Sequence, residues 1–331
     1  MAIGIQDVAR AAGVHISTVS RTFSAPHLVR AETRRRVIAV AEELGYRPNR
    51  AARSLATGRT QNVGLVVADI GNPYFPPLIK AAQAQAAARD YHVFVADTDE
   101  DPLVEEELVY ALTKQVDGVL LGSPRMSNRR VRELAENVPL VVVNRRVKGV
   151  PAVLMDLRAG SRTAVEHLAA LGHTRLALLV GPTGSWLSSE MRRGANAAAR
   201  ARDVTITVFG PSSPTEAGGA SAAGEILRTG ATGVLAYNDL MAIGLVEDLD
   251  RLGARVPDDV SVVGVDDIGA SRLTRPKLTT VAMPTAAAGR TAIDILLQRA
   301  ADTGPGTATV ATLETRFVVR ESSAAVRRSG V

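Results

Sequence analysis

The chain has 331 residues, 46% apolar, 22% charged and only 3% aromatic, with a formal net charge of +5 and no cysteine. That length and apolar share allow a large core plus a small accessory module, while the absence of thiols excludes disulfides, thiolate zinc sites and cysteine nucleophiles. No charged-then-apolar leader precedes residue 5 and no run approaches about 18 apolar residues, so neither a signal peptide nor a membrane span is expected, and the expected location is cytoplasmic.

The first elements form a helix pair. Ile5, Val8, Ala9 and Ala12 repeat at the spacing of one apolar helix face. Gly13 supplies a permissive terminator. In the next helix Val14 and Val19 turn inward, and about 100° per residue groups Ser17, Ser20 and Arg21 on the opposite side. Small polar residues with one arginine suit the major groove of DNA, where a guanidinium bonds a guanine edge in bidentate fashion. On spacing alone, a small helical bundle with Arg21 as a solvated charge remains open. Charge decides against it. Residues 1–60 hold ten arginines and four acids, whereas the other 271 residues carry 29 basic and 30 acidic side chains. The whole positive excess thus lies in the first fifth of the chain, the footprint of a nucleic-acid-binding module on a near-neutral body. With so few aromatic residues, single-strand stacking is disfavoured and a duplex partner is expected.

A third helix follows over Ala31–Leu44, with Val37, Ile38, Ala41 and Leu44 facing inward and Gly45 ending it. Proline in Tyr46-Arg47-Pro48-Asn49 breaks the chain direction, and Asn49 can cap the next element. The stretch Arg50-Ala51-Ala52-Arg53-Ser54-Leu55-Ala56 is too short for a stable isolated helix. It is expected to order only when packed on a partner copy at DNA, where Leu55, beside Arg50 and Arg53, suits a minor-groove wedge.

Residues 5–21, the Gly45–Asn49 break and Ala52–Thr60 together resemble the headpiece and hinge of the LacI/GalR family of bacterial transcriptional regulators. The resemblance implies a repressor that binds a near-palindromic double-stranded operator as a homodimer. Base reading falls on Ile16, Ser17 and Arg21, supported by Ser20, Asn49, Arg50 and Arg53, with Leu55 as the hinge wedge. Two positions depart from the family pattern: His15 and Arg30 stand where a helix-capping serine or similar residue is common.

The remaining residues alternate short β-branched runs with helical stretches. The runs are Val63–Val67, Tyr91–Val95, Gly118–Leu121, Leu140–Val143, Leu176–Val180, Gly233–Ala236 and Ser261–Val265, and helices are expected over 75–90, 104–115, 158–171, 190–202 and 217–228. Such alternation implies parallel sheets covered on both faces, too many elements for one sheet, and hence two α/β subdomains with a cleft. The expected fold is a small all-α helix-turn-helix headpiece plus an α/β core of two doubly wound parallel sheets, and the core resembles the family's periplasmic-binding-protein-like body. Its expected division is headpiece 1–48; hinge helix and linker 49–61; N-terminal subdomain 62–157 with 284–313; C-terminal subdomain 158–283 with 314–322; and a disordered tail 323–331. The last strand, near Thr315–Arg320, is expected to return to the C-terminal lobe.

Ligands of doubly wound sheets sit at the carboxyl ends of strands, which nominates Asp69, Asn72, Asn144, Asp156, Asn238, Asp239, Asp266 and Asp267. Amides and carboxylates match vicinal hydroxyls, so a sugar-like effector fits; each residue alone has the plainer explanation of a cap or turn. The resemblance raises Asn144, the Asn238-Asp239 pair and Asp266 as effector contacts, and places Tyr74 and Phe75 on the cleft wall. It also exposes departures. Met191 stands where sugar-responsive members carry an arginine, Pro214 where an aromatic is common and Met283 where a polar residue is common, with Trp186 a candidate substitute face. The effector set is therefore Tyr74, Phe75, Asn144, Asp156, Met191, Asn238, Asp266 and Met283. A non-sugar metabolite or no effector remains the alternative.

No catalytic residue, metal or cofactor is expected. Gly181-Pro182-Thr183-Gly184 is the nearest approach to a phosphate loop and lacks the lysine, while His167 and His173 lack metalloprotease spacing and read as structural. A solute-binding protein would share the two lobes but not the basic headpiece.

Overall fold

The computed structural model describes residues 3–47, 58–301 and 308–327, in two units, Met1–Gln61 and Asn62–Val331. In the first, α1 (Ile5–Ala12) ends at Gly13 with φ 63°, the left-handed conformation that glycine adopts without penalty. α2 (Ile16–Ser24) and α3 (Ala31–Glu43) close over it. Val8, Ala9, Ala12, Val19, Val37 and Ala41 form the core, with Phe23 and Tyr46 packed on its rim. Ile38, expected inside, is 36% exposed: at 3.6 residues per turn Val37, Ala41 and Leu44 share a face that Ile38 only flanks. His15 does cap α2, its Nδ1 receiving the Ser17 N–H at 3.3 Å. Arg30 caps α3 with no side-chain hydrogen bond.

The second unit contains two six-stranded sheets. The first runs β11-β5-β4-β3-β1-β2, all parallel. Its strands are β1 (Asn62–Val67), β2 (His92–Asp97), β3 (Val119–Gly122), β4 (Leu140–Val143), β5 (Ala152–Met155) and β11 (Val310–Leu313). Helices α4 (Phe75–Ala87), α5 (Pro102–Leu112) and α6 (Asn128–Asn137) connect β1 to β4. The second sheet runs β12-β10-β9-β8-β6-β7, comprising β6 (Arg175–Leu179), β7 (Thr205–Phe209), β8 (Gly233–Ala236), β9 (Ser261–Asp266), β10 (Thr279–Ala282) and β12 (Arg316–Val318). Its helices are α7 (Leu157–Ala170), α8 (Trp186–Arg202), α9 (Glu216–Ala220), α10 (Ala223–Arg228) and α11 (Asp239–Arg251), and α12 (Thr285–Ala301) packs on the first sheet.

Burial explains the sequence pattern. β3, β4, β5 and β8 are buried at every position, whereas edge strands β2 and β7 are largely exposed, so only central strands read as unbroken apolar runs. The chain passes between lobes at Asp156, at Met283-Pro284 and at Glu314-Thr315. The last passage forces one departure from two purely parallel sheets: β12 pairs antiparallel with β10. It enters directly from β11 after two residues, without the helical crossover that a parallel neighbour requires.

A second departure concerns the expected disordered tail: residues 323–327 are ordered against the second lobe. Ala324 N donates to Ser261 Oγ at 3.0 Å and Ala324 O accepts from His173 Nε2 at 3.0 Å. Val326 N donates to Leu171 O at 3.0 Å. His167 and His173, both held below their usual pKa chiefly by burial, thereby serve as struts for this segment. Small residues allow close helix crossings: a Cβ on Gly194 of α8 would lie 2.1 Å from the Arg158 carbonyl oxygen of α7.

Candidate effector cleft and nucleic-acid interface

On α2, Ser20 and Arg21 are exposed and Ile16 and Ser17 half-buried. Ile16 packs partly onto the headpiece core, and the Ser17 hydroxyl sits 2.8 Å from His15 Nδ1. Arg21 has no ion pair with any described residue, so its guanidinium is available to a ligand. Asn49, Arg50, Arg53 and Leu55 lie outside the described residues.

In the larger unit, the carboxyl ends of the strands of both lobes converge on a cavity of ≈ 30 Å³, room for about two water molecules. Two wider recesses, of ≈ 490 and ≈ 390 Å³, open beside it. The central cavity is walled from the first lobe by Asn72, Tyr74, Phe75, Glu100, Ser123 and Arg125. The second lobe contributes Leu187, Pro214, Tyr237, Asn238, Val265 and Asp266, and Leu157 stands at the passage between lobes.

Of the residues predicted from sequence, Tyr74, Phe75, Asn238 and Asp266 meet here. Tyr74 stands edge-on to Phe75 with ring centroids 4.9 Å apart, and Asn72 Oδ1 fixes its backbone at 3.0 Å. Its phenol is pushed well above its ordinary pKa by burial, reinforced by Asp266 and Tyr237, so it is a neutral donor. Asn238 is 3% exposed; its Oδ1 caps α11 at Met241 N (2.9 Å) and its Nδ2 donates to Pro214 O (2.8 Å). Asp266 has no hydrogen-bond donor on its carboxylate among the described residues, and burial, then Asp239, push its pKa well up. Its φ is 117° and that of Asp267 is 59°, strained backbone of the kind that persists at functional sites.

The other four predicted residues are placed elsewhere. Asn144, at φ 58°, lies one layer behind the wall, with Nδ2 on the Tyr74 hydroxyl and Oδ1 accepting from Met155 N at 3.2 Å; it positions Tyr74. Asp156 caps α7 through Ala159 N at 2.9 Å and faces a separate recess beside Arg158 and Arg162. Met191 is fully enclosed in the apolar core, because the α8 face that carries it packs inward. Met283 lines the ≈ 490 Å³ recess and not the central cavity. Trp186 likewise packs on the core. Asp239 is structural: its carboxylate accepts from Ile268 N at 3.0 Å and from Ser271 Oγ and Thr280 Oγ1 at 2.6 Å each.

Glu100, Ser123, Arg125 and Tyr237 escaped the sequence reading. The strand-end rule would have found them had it been applied to β2 and β3 and extended by one residue past β8. Glu105 of α5, 3% exposed, accepts from the backbone N–H groups of Arg125 and Met126 at 2.8 Å each. Arg125 then spans Glu100, with Nε on Oε2 and Nη2 on Oε1 (2.9 Å), while Nη1 donates to Ser123 O at 2.7 Å. Burial opposes the charge on Arg125, but Tyr237, Glu100 and Glu105 outweigh it and raise its pKa.

A headpiece that presents a free arginine on a helix-turn-helix, on the same chain as a two-lobed α/β cleft lined with hydrogen-bonding groups, defines a ligand-responsive DNA-binding regulator. Residues 4–49 match the bacterial regulatory proteins of the lacI family, and residues 165–323 match the periplasmic binding protein-like domain. The chain is 34% identical to the transcriptional regulator GalS of Salmonella typhimurium, over 99% of this chain and 98% of that one. Among solved structures it resembles the lac repressor dimer bound to operator and the anti-inducer ONPF (27% identity, 98% and 100% coverage, TM-score 0.88). It also resembles the regulator CelR in complex with cellobiose (30% identity, 97% and 99% coverage, TM-score 0.73). The protein belongs to the lacI family of bacterial transcriptional regulators: a DNA-binding repressor with an effector-binding core. Among the described residues no helix is long and apolar enough to cross a membrane.

Proposed function

We propose that this repressor binds a near-palindromic operator as a homodimer in the cytoplasm and is switched by a carbohydrate held between its lobes. Ile16, Ser17, Ser20 and Arg21 face the major groove, with Asn49, Arg50, Arg53 and Leu55 forming the hinge contact; 1–48 is the headpiece and 49–61 the linker. The two lobes divide at 157/158, 283/284 and 313/314. The cleft binds and releases its ligand without chemistry on it.

The observation that carries the carbohydrate reading is the Asp266 carboxylate: it borders the central cavity with no donor of its own, facing two phenols and a guanidinium. Half-buried at the cavity, this carboxyl has acceptor capacity that ligand hydroxyls would take up. Support also comes from the cellobiose carried by CelR. Because ≈ 30 Å³ is too small for a sugar ring, ligand entry requires the lobes to part about their three connecting strands. Ligand then favours one lobe arrangement over another, a coupling of about 1–3 kcal/mol. The test is selection of operator half-sites from random DNA by the full chain, followed by thermal unfolding with a carbohydrate panel. The reading predicts an inverted repeat and at least one stabilising sugar. Enrichment of an asymmetric single site sinks the dimer, and silence across the panel sinks the carbohydrate.

A further inference from the structure

Met191, which the family resemblance matches to a pocket position, is sealed in the core. The guanidinium that does reach the cavity comes from the other lobe, on the loop after β3. That loop is built for the purpose. Ser123 takes φ 56°, Glu105 grips the Arg125 and Met126 N–H groups from below, and the Arg125 side chain is only 8% exposed. Glu100, itself 23% exposed, occupies one whole edge of the guanidinium in bidentate fashion, the strongest geometry for this pair. With Ser123 O also bound, three of the five guanidinium N–H groups are used and two remain for a ligand.

Charge is one-sided in one of the two approaches to the cavity; the ≈ 490 Å³ recess mixes Asp266, Asp267 and Glu314 with Arg272 and Arg316. The adjoining ≈ 390 Å³ recess is lined by Asp69, Asp99 and Glu100, and the rest of its lining is proline, serine and threonine, with no basic residue. A carboxylate or phosphate entering there meets three acids of the first lobe and no cation, and the single cation lining the central cavity is already engaged.

Building on the carbohydrate reading, we propose that the Glu100–Arg125 pair sets effector class: Arg125 donates its two remaining N–H groups to hydroxyls of a neutral carbohydrate, while Glu100 and the acidic approach exclude sugar acids and sugar phosphates. Specificity here rests as much on repulsion as on contact. Glu100 reads the ligand through Arg125 and is a positioning residue; Arg125 touches it.

The test uses the full chain and matched probes: D-glucose with D-glucuronate and glucose 6-phosphate, D-ribose with ribose 5-phosphate, and cellobiose with cellobionate, by titration calorimetry. The wild type should bind at least one neutral sugar and bind its anionic counterpart roughly 100-fold more weakly or worse, the scale of like-charge juxtaposition. Glu100→Gln should bring the anionic counterpart at least tenfold closer to the neutral one, and Arg125→Leu should weaken the neutral sugar about 10- to 100-fold, as losing a charged donor does. Equal wild-type affinity for a neutral sugar and its acid overturns the assignment and leaves the carbohydrate reading standing, as does unchanged neutral-sugar binding by Arg125→Leu. Binding of no probe of either kind overturns both. Should Glu100→Gln fail to melt cooperatively, the wild-type ratio decides alone.

Discussion

Asp239 provides a pH dependence whose size follows from its surroundings. The carboxyl is fully buried at the start of α11 and receives three hydrogen bonds, which favour the charged form, yet burial outweighs them and pushes its pKa from 3.8 to about 6. A folded-state pKa raised above the unfolded value means the native chain holds the extra proton. Its ionisation therefore destabilises the fold progressively as pH rises from about 4 through 6. At about 1.36 kcal/mol per unit, the full cost is about 3 kcal/mol, of which about 2 kcal/mol develops between roughly pH 4.5 and 7.5. Asp239→Asn keeps the shape and removes the charge. One amide oxygen can still serve Ile268 N and Ser271, and the Thr280 hydroxyl can turn to accept from the amide nitrogen. The difference in unfolding free energy, variant minus wild type, should thus rise by about 2 kcal/mol over that range. Urea unfolding at fixed pH measures it, followed by the single tryptophan, Trp186, which packs on the core. Taking the difference cancels the parallel contribution of Glu105, whose pKa is also raised; Asp266, raised in part by Asp239 itself, loses that part of its shift in the variant, which adds to the same trend. A difference that stays flat within about 0.5 kcal/mol, on a scale where one pKa unit is worth about 1.36 kcal/mol, would refute the argument that Asp239 is buried against its own charge.

Three further outcomes are expected. Arg21→Ala should cost about 1–3 kcal/mol on the selected operator and leave binding to unrelated DNA unchanged in anisotropy titrations; equal losses on both would remove base reading from Arg21. Gly194→Ala, whose Cβ would meet the Arg158 carbonyl at 2.1 Å, should lower stability by about 1–3 kcal/mol because backbone and not a flexible side chain blocks it, and an unchanged melting temperature would show that α7 and α8 separate easily. Deleting residues 323–331 removes the Ala324 bonds to Ser261 and His173 and the Val326 bond to Leu171, and should destabilise the core by about 1 kcal/mol or more; a deletion without effect on denaturant unfolding would make the tail dispensable.

The headpiece was the most legible part of the chain, because its apolar spacing, Gly13 and the run of arginines are local signals. The central strands were equally plain, since burial on both faces leaves nothing but Val, Leu and Ala in stretches such as Leu140–Val143. Edge strands were not. Thr205–Phe209 and Val310–Leu313 expose alternate or most positions, so their composition carries little pattern, and the antiparallel β12 depends on a passage between lobes that no local signal announces. In the cleft, strand-end reasoning found Asn238 and Asp266 and the family resemblance found Tyr74, but the resemblance also took Met191 for a pocket residue, because helix phase and not motif position decides which face of α8 is buried. Arg125 was hidden for the opposite reason. Its role depends on Glu100 and Glu105, each at least 20 residues away in sequence, and only the folded loop brings the three together.

The central claim is that occupation of the cleft and binding of the operator are coupled. With a stabilising neutral sugar in hand, the decisive measurement is the operator dissociation constant of the full chain with and without saturating sugar, set beside the sugar dissociation constant with and without operator. Linkage requires the two ratios to be the same, and the account places them at about 5- to 150-fold. An operator affinity that does not move when the cleft is saturated would contradict it.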